Sequence, residues 1–240
     1  MHKLSIIIPF YNEEKTLLEL IEKIFSFDFS SLCLVPELIL INDGSTDSSH
    51  EIITALLNKK PQTALHYYTH SVNRGKGAAL RTGFAHATGD FILVQDADLE
   101  YDPAEYSALL LPLLEGKASV VYGSRFLSKE NLSREKNMYI LHYFGNKLLT
   151  TVTNLLYQSH LSDMETGYKA MKKEVLDAIT LTADRFEIEP ELTAKILRHN
   201  IQILSIPIRF NARSFKEGKK ITFIDGIIAL WWLVKCRFFK

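Results

Sequence analysis

An α/β architecture built on a mostly parallel sheet is what this sequence predicts, and three observations predict it. Short β-branched runs alternate with helical spacings through the first 120 residues. Three acidic, polar clusters stand directly after such runs, where an open parallel sheet gathers its ligands. The chain of 240 residues is 47% hydrophobic and 23% charged, which suits one globular domain with a small appendage.

The elements follow in order. Residues 4–10 form a short apolar run, as expected of a strand buried on both faces. Residues 13–25 carry helical spacing through Leu17, Leu20, Ile21 and Ile24. A second strand over 38–41 ends in Asn42-Asp43-Gly44-Ser45-Thr46-Asp47, where Gly44 marks a tight turn and Ser45 or Thr46 caps a helix. A weaker strand over 65–68 leads to a helix over 75–87, and a fourth strand over 91–95 runs directly into acids. Pro103 opens another helix at a position where proline is tolerated, and 120–122 is a fifth strand. Beyond Glu135 a long helix is expected to reach Tyr157, with Leu141, Phe144, Leu148, Val152 and Leu155 on one stripe. Helices over 173–179 and 189–199 flank a strand near 201–208. With no internal repeat or linker, the expected organisation is one domain over 1–220 and an amphipathic, basic and aromatic helix over 221–240.

Lysine plus arginine equals aspartate plus glutamate at 28 each, yet the balance is uneven. Residues 209–240 hold eight basic side chains against two acidic ones, leaving 20 basic and 26 acidic side chains elsewhere. A basic end on an acidic body points to an anionic partner, although a solubilising tail would show the same charge. No nucleic-acid partner is expected. Cys33 and Cys236 match no metal spacing, so a reducing, cytoplasmic location is the simplest reading. The first residues lack the length and cleavage site of a signal peptide, and no run reaches the roughly 18 apolar residues of a spanning helix.

The acids carry the chemistry. Asp96 and Asp98 lie two residues apart with Glu100 continuing the series, and in extended backbone all three point to one side. Carboxylates so close repel unless a cation sits among them, and an oxygen-only donor set selects a hard ion such as Mg²⁺ or Mn²⁺. A zinc site is disfavoured, since the eight histidines form no Cys/His cluster. The plain alternative for any one acid is a helix cap or turn. Three clusters on neighbouring strand ends resist that explanation. Asn73-Arg74-Gly75-Lys76-Gly77 opens a helix and can present N–H groups and the Lys76 charge to a phosphate, or simply start the helix. It is neither a P-loop nor a convincing dinucleotide fingerprint.

Pro9-Phe10-Tyr11-Asn12-Glu13, Asn42-Asp43-Gly44-Ser45-Thr46-Asp47 and Asp96-Ala97-Asp98 resemble the inverting family 2 glycosyltransferases of the GT-A fold, a Rossmann-like sheet flanked by helices. That resemblance implies that Pro9, Tyr11, Glu13 and Asp43 bind the base and ribose of a nucleotide sugar. It implies also that Asp96 and Asp98 hold its diphosphate through a divalent ion. Asn42 departs from the pattern, since many members have an acid there.

The second half sharpens the resemblance. Tyr122-Gly123-Ser124-Arg125-Phe126, the segments 163–170 and 185–192, and Arg213-Ser214-Phe215-Lys216-Glu217-Gly218-Lys219 look like the polyprenyl- or dolichyl-phosphate hexose synthase branch. A lipid phosphate is anionic at neutral pH and attacks without a strong base, needing cations that hold it in line. By similarity, Arg125 and Arg134 become candidates for the acceptor phosphate. Arg213 and Lys219 become candidates for a loop closing over both substrates' phosphates. Asp163, Glu187 and Glu189 are assigned to sugar or acceptor contacts. Thr166 and Gly167 can form only the turn before a strand.

The segment over 221–240, too short to span a bilayer, can lie at an anionic membrane surface with its Trp, Lys and Arg side chains at headgroup depth. It can equally pack on the domain or on a second copy of the chain. The expectation is therefore a hexosyltransferase at the cytoplasmic face of a membrane, using GDP-mannose or UDP-glucose. One rival is a family 2 enzyme with a saccharide or protein hydroxyl acceptor, which needs a general base. A more distant one is a non-catalytic nucleotide-sugar or membrane-binding module.

Overall fold

A strand buried at every position from Leu4 to Phe10 needs partners on both edges and cover on both faces, and this requirement organises the molecule. The structure is a computed structural model that describes residues 1–59, 64–128, 140–212 and 223–239. Its strands are β1 (His2–Phe10), β2 (Leu34–Asn42), β3 (Leu65–Thr69), β4 (Phe91–Val94), β5 (Val120–Ser124), β6 (Lys169–Lys172) and β7 (Ile203–Pro207). They form one sheet in the order β3-β2-β1-β4-β6-β5-β7. β1 pairs in parallel with β2, Phe10 opposite Asn42, and with β4, Ile7 opposite Val94. The chain steps outward from β1 in both directions, so the carboxyl ends of β1, β2 and β4 border a switch-point crevice.

The helices are α1 (Leu17–Ser26), α2 (Ser49–Lys59), α3 (Lys76–His86), α4 (Tyr106–Leu114), α5 (Ile140–Tyr157), α6 (Lys173–Asp177), α7 (Ile188–Arg198) and α8 (Phe223–Phe238). Alternation along β1 divides the core into two layers. Ile6 and Ile8 pack with Leu17, Leu20 and Ile24 of α1 and Leu109 and Leu113 of α4. Ile7 faces the other way, into a layer with Ala79 and Leu80 of α3, Ile188 and Leu192 of α7, and Ala229 and Leu233 of α8. Helix α3 lies tight on the sheet: a Cβ at Gly83 would stand 2.4 Å from Ile7 Cγ2.

Two expectations need correction, and one strand goes beyond them. Ser45 and Thr46 do not cap α2; Asp47 accepts the Ser49 N–H at 3.0 Å, while Ser45 and Thr46 bond to Asn12 and tie the first two loops together. Three residues of the apolar stripe expected on α5 face outward, with Phe144 63%, Leu148 60% and Leu155 77% exposed. Val152 of that stripe does pack inward, joined by Leu149, Thr153 and Leu156, and the Thr153 hydroxyl is satisfied by Leu149 O at 2.8 Å. Strand β6 follows Gly167 and runs antiparallel between β4 and β5, Val94 opposite Lys169 and Val121 opposite Ala170. Its two lysines hide it from an apolar-run search.

Helix α8 is anchored through its inner face. Ala229, Leu233 and Cys236 are buried, Leu233 O accepts from the Tyr157 hydroxyl and Cys236 O from Arg198, both at 2.7 Å. Its outer face keeps Ile224, Ile227 and Trp231 exposed. No helix among the described residues is long and apolar enough to cross a membrane.

Candidate active site at the strand ends

A cavity of about 530 Å³ opens at the carboxyl ends of β1, β2 and β4. The end of β1 lends it Pro9 and Phe10, the loop that follows lends Tyr11 and Glu13, and the loop after β2 lends Asp43. Asp96, Asp98 and Glu100 line it from the end of β4, with Lys76, Arg125 and Glu189 on the facing elements. Asp163 and Glu187, both expected as substrate contacts, do not line it. Arg134, Arg213 and Lys219 lie outside the described residues.

Asp43 is buried, and both of its oxygens are engaged. Oδ1 accepts the Arg74 N–H at 3.0 Å and meets His70 Nδ1 at 2.7 Å, and Oδ2 accepts the Gly75 N–H at 2.7 Å. His70 is held in turn through Nε2 by the Thr82 hydroxyl at 2.9 Å. The turn before α3 therefore points these N–H groups at Asp43 and not at a phosphate. Gly75 adopts φ +101°, a region that favours glycine, and a Cβ there would stand 2.5 Å from Asp184 O.

Lys76 is not left for phosphate either. Its ammonium lies 2.7 Å from Asp96 and 3.0 Å from Glu189, and Glu189 also pairs with Lys169. Burial opposes the Lys76 charge, but Asp96 and then Glu189 outweigh it and raise its pKa. Burial likewise works against a charged Glu189, and Lys169 and Lys76 override it, holding the carboxyl below its usual value.

The acidic loop is turned, not extended. β4 ends at Val94, Leu99 takes φ +60°, and Asp98 Oδ1 accepts the Glu100 N–H at 3.1 Å. Asp96, Asp98 and Glu100 thus do not share one extended face. Gln95, to which no sequence pattern gives a role, sets the loop. Its Oε1 accepts from the Tyr106 and Tyr168 hydroxyls at 2.8 and 2.7 Å, and its Nε2 donates to Asp96 O at 2.9 Å. Gly167 closes against the same loop: its N–H donates to the Tyr101 hydroxyl at 2.9 Å, and a Cβ would lie 2.2 Å from Asp96 Oδ2.

Arg125 reaches the cavity from the end of β5. Its Nε and Nη2 meet the two oxygens of fully buried Asp163 at 2.7 and 2.8 Å, and its own N–H donates to Asp163 Oδ2 at 3.0 Å. The guanidinium lies 5.3 Å from the Phe210 ring centre. Burial disfavours its charge and Asp163 more than restores it, so its pKa is raised. Asp163 is thus a holder of Arg125, and Glu187 bonds locally to the Arg185 N–H at the start of α7. Glu165, Arg185, Phe186 and Asp225 also line the cavity. A signal for Glu165 lay in its position two residues from Asp163, within a segment that carries the family resemblance.

Residues 5–180 match the model of glycosyl transferase family 2. The chain belongs to that family. An undecaprenyl-phosphate 4-deoxy-4-formamido-L-arabinose transferase of Salmonella choleraesuis is 30% identical over 98% of this family 2 chain and 67% of its own length. An uncharacterized protein of Methanocaldococcus jannaschii is 26% identical over 99% of this chain and 93% of its own. Among solved structures, glucosyl-3-phosphoglycerate synthase from Mycobacterium tuberculosis with uridine diphosphate aligns at a TM-score of 0.71 and 19% identity, covering 100% of this chain and 81% of that one. The same synthase solved with Mg²⁺ and uridine diphosphate aligns at 0.68 and 20% identity, over 100% and 80%. The architecture of this family 2 chain is therefore the GT-A fold.

A divalent ion can be tested against the residues present. Among the described residues no three His, Cys, Asp or Glu side chains gather into a cage, and Asp96 is taken up by Lys76. Mg²⁺ is usually held by one or two carboxylates with substrate phosphates completing its shell. Asp98 and Glu100, hard oxygen donors lining the cavity, fit that provision.

Proposed function

We propose that this chain transfers a hexose from a nucleotide-diphosphate sugar, GDP-mannose or UDP-glucose, to a polyprenyl phosphate with inversion and the assistance of Mg²⁺ or Mn²⁺. The observation that carries the reading is one cavity in which Asp98 and Glu100 meet a guanidinium, Arg125, held rigidly by a buried carboxylate. The names of the undecaprenyl-phosphate transferases support the acceptor, since the likeness runs through nearly the whole chain.

Pro9, Tyr11 and Glu13 receive the nucleoside beside the loop that Asp43 fixes. Asp98 and Glu100 would hold the divalent ion, whose charge stabilises the departing diphosphate when bound. Arg125 orients the acceptor phosphate for in-line attack, and Asp163 fixes the guanidinium so that little reorganisation remains. The attacking oxygen is already anionic, so no side chain has to remove a proton. Lys76 and Glu189 hold Asp96 in place. In this reading Arg134, Arg213 and Lys219 contribute further cations to the two phosphates. The exposed Phe144, Leu148 and Leu155 of α5 and Ile227 and Trp231 of α8 rest on a membrane at its cytoplasmic face, bringing the lipid to the cavity.

The test is transfer of label from GDP-mannose, UDP-glucose and UDP-N-acetylglucosamine to a short polyprenyl phosphate with Mn²⁺. Label entering the organic phase with one donor, and lost in Asp98→Ala, supports the reading and identifies the sugar. Nucleotide binding without transfer from any donor sinks the lipid acceptor and turns attention to a hydroxyl acceptor.

A further inference from the structure

Glu165 lines the cavity and takes no part in the mechanism above. Four carboxylates of the site are answered: Asp43 by His70 and two backbone N–H groups, Asp96 by Lys76, Asp163 by Arg125, Glu189 by two lysines. Glu165 is not. Its Oε1 is sealed from solvent and has no hydrogen-bond partner among the described residues. A buried polar group left unanswered in a binding cavity points to a partner that arrives with the ligand.

The chemistry of the donor selects that partner. Diphosphate and acceptor phosphate are anionic and would be repelled by a carboxylate. The hexose between them is neutral and offers hydroxyl donors, which a carboxyl oxygen accepts. The segment is also held firmly enough to discriminate, because Gly167 is bonded to Tyr101 and packed against Asp96 with no room for a side chain. Two residues before Glu165, Asp163 is locked to Arg125. We infer that Glu165 is a specificity-determining residue that accepts a hydrogen bond from one hydroxyl of the donor hexose. This rests on the reading of the donor as a nucleotide sugar.

The experiment compares calorimetric binding of nucleoside diphosphate, nucleotide sugar and its monodeoxy analogues to the full chain with Mn²⁺. The donor is whichever of GDP-mannose and UDP-glucose the wild type binds tighter. Glu165→Leu is expected to bind the nucleoside diphosphate within about twofold of wild type and the nucleotide sugar roughly tenfold or more weakly, with Glu165→Gln between. One monodeoxy analogue that wild type binds weakly should be bound by Glu165→Leu as well as the parent sugar. Equal losses for diphosphate and nucleotide sugar, or deoxy penalties unchanged from wild type, overturn the assignment. Should Glu165→Leu lose nucleoside diphosphate altogether, the same deoxy comparison is made on Glu165→Gln: a reduced penalty supports the assignment and an unchanged one overturns it. No acceptor is present, so failure of the lipid acceptor, read in the transfer assay, stays distinct from failure here.

Discussion

The Lys76 ammonium stands 2.7 Å from one oxygen of Asp96 and 3.0 Å from Glu189, whose second oxygen contacts Lys169. One row of alternating charges thereby joins helix α3, the loop after β4, helix α7 and strand β6. Such pairs mostly offset their own desolvation, so their contribution is placement more than stability, whereas removing one member is costly.

Lys76→Met leaves Asp96 and Glu189 short of a counter-charge inside the protein. It should lose about 3–5 kcal/mol of unfolding free energy, read from urea titrations at neutral pH. A loss no larger than that of a surface substitution would show that the row does not hold the site together.

Asp98→Asn keeps the shape of the acidic loop and removes a full charge from the cavity. Transfer should fall roughly 10²-fold or more, as when one electrostatic contact to a developing charge is deleted. The Mn²⁺ concentration for half-maximal rate should rise in parallel, and an unchanged metal titration would free Asp98 of the role.

Arg125→Lys preserves charge but loses the two-pronged contact with Asp163. Both Arg125→Lys and Asp163→Asn should lower transfer by roughly 10²-fold through misplacement, with nucleoside diphosphate affinity intact. If Asp163→Asn weakened nucleotide binding instead, its carboxylate would have a role other than orienting Arg125.

Burial, with Glu189 and Asp163 nearby, lifts the Glu165 carboxyl from 4.5 to about 7, against the opposing pull of Lys169 and Arg125. The folded state then keeps this proton to higher pH than the unfolded chain does. The stability this contributes is fully present below about pH 4.5 and is lost by about pH 7, a span on the order of 3 kcal/mol. Glu165→Gln cannot ionise, so its stability relative to wild type should climb across that window and level off above it. Parallel curves in urea unfolding from pH 4 to pH 8 would contradict the raised carboxyl.

Trp231→Glu and Phe144→Glu alter exposed side chains and should change stability by no more than about 0.5 kcal/mol. Co-sedimentation with vesicles containing anionic lipid should nevertheless weaken about tenfold for each. Unchanged sedimentation would remove these faces from the membrane reading.

Much of this molecule was legible in its sequence. Buried strands such as β1 announce themselves because both faces are apolar, and the acidic clusters follow them directly, so the sheet and the position of the cavity were read from local pattern. Partnerships between distant segments were not. Lys76 and Arg125 looked like cations awaiting phosphate, yet each already faces a carboxylate supplied from elsewhere in the chain, Asp96 and Glu189 for one and Asp163 for the other. Period alone also misplaced Phe144, Leu148 and Leu155 of α5 while placing Val152 correctly, because Thr153 is accepted in the core once its hydroxyl bonds to Leu149 O. Strand β6 was signalled only by the turn at Thr166 and Gly167, for a related reason: the Lys169 charge is tolerated in the interior because Glu189 stands opposite.

Strand β6 has a further consequence, for the order in which the protein comes into being. The wall bearing Glu165 and Gly167 meets the loop after β4 across 66 residues of chain, as the bond from Gly167 to Tyr101 records. During synthesis, β1 to β4 emerge and can collapse together long before that wall exists. Contacts of such separation form late, because loop closure must precede them. The nascent half-protein presents strand ends without the wall that bears Glu165 and Gly167, and the cavity closes only once that wall has docked.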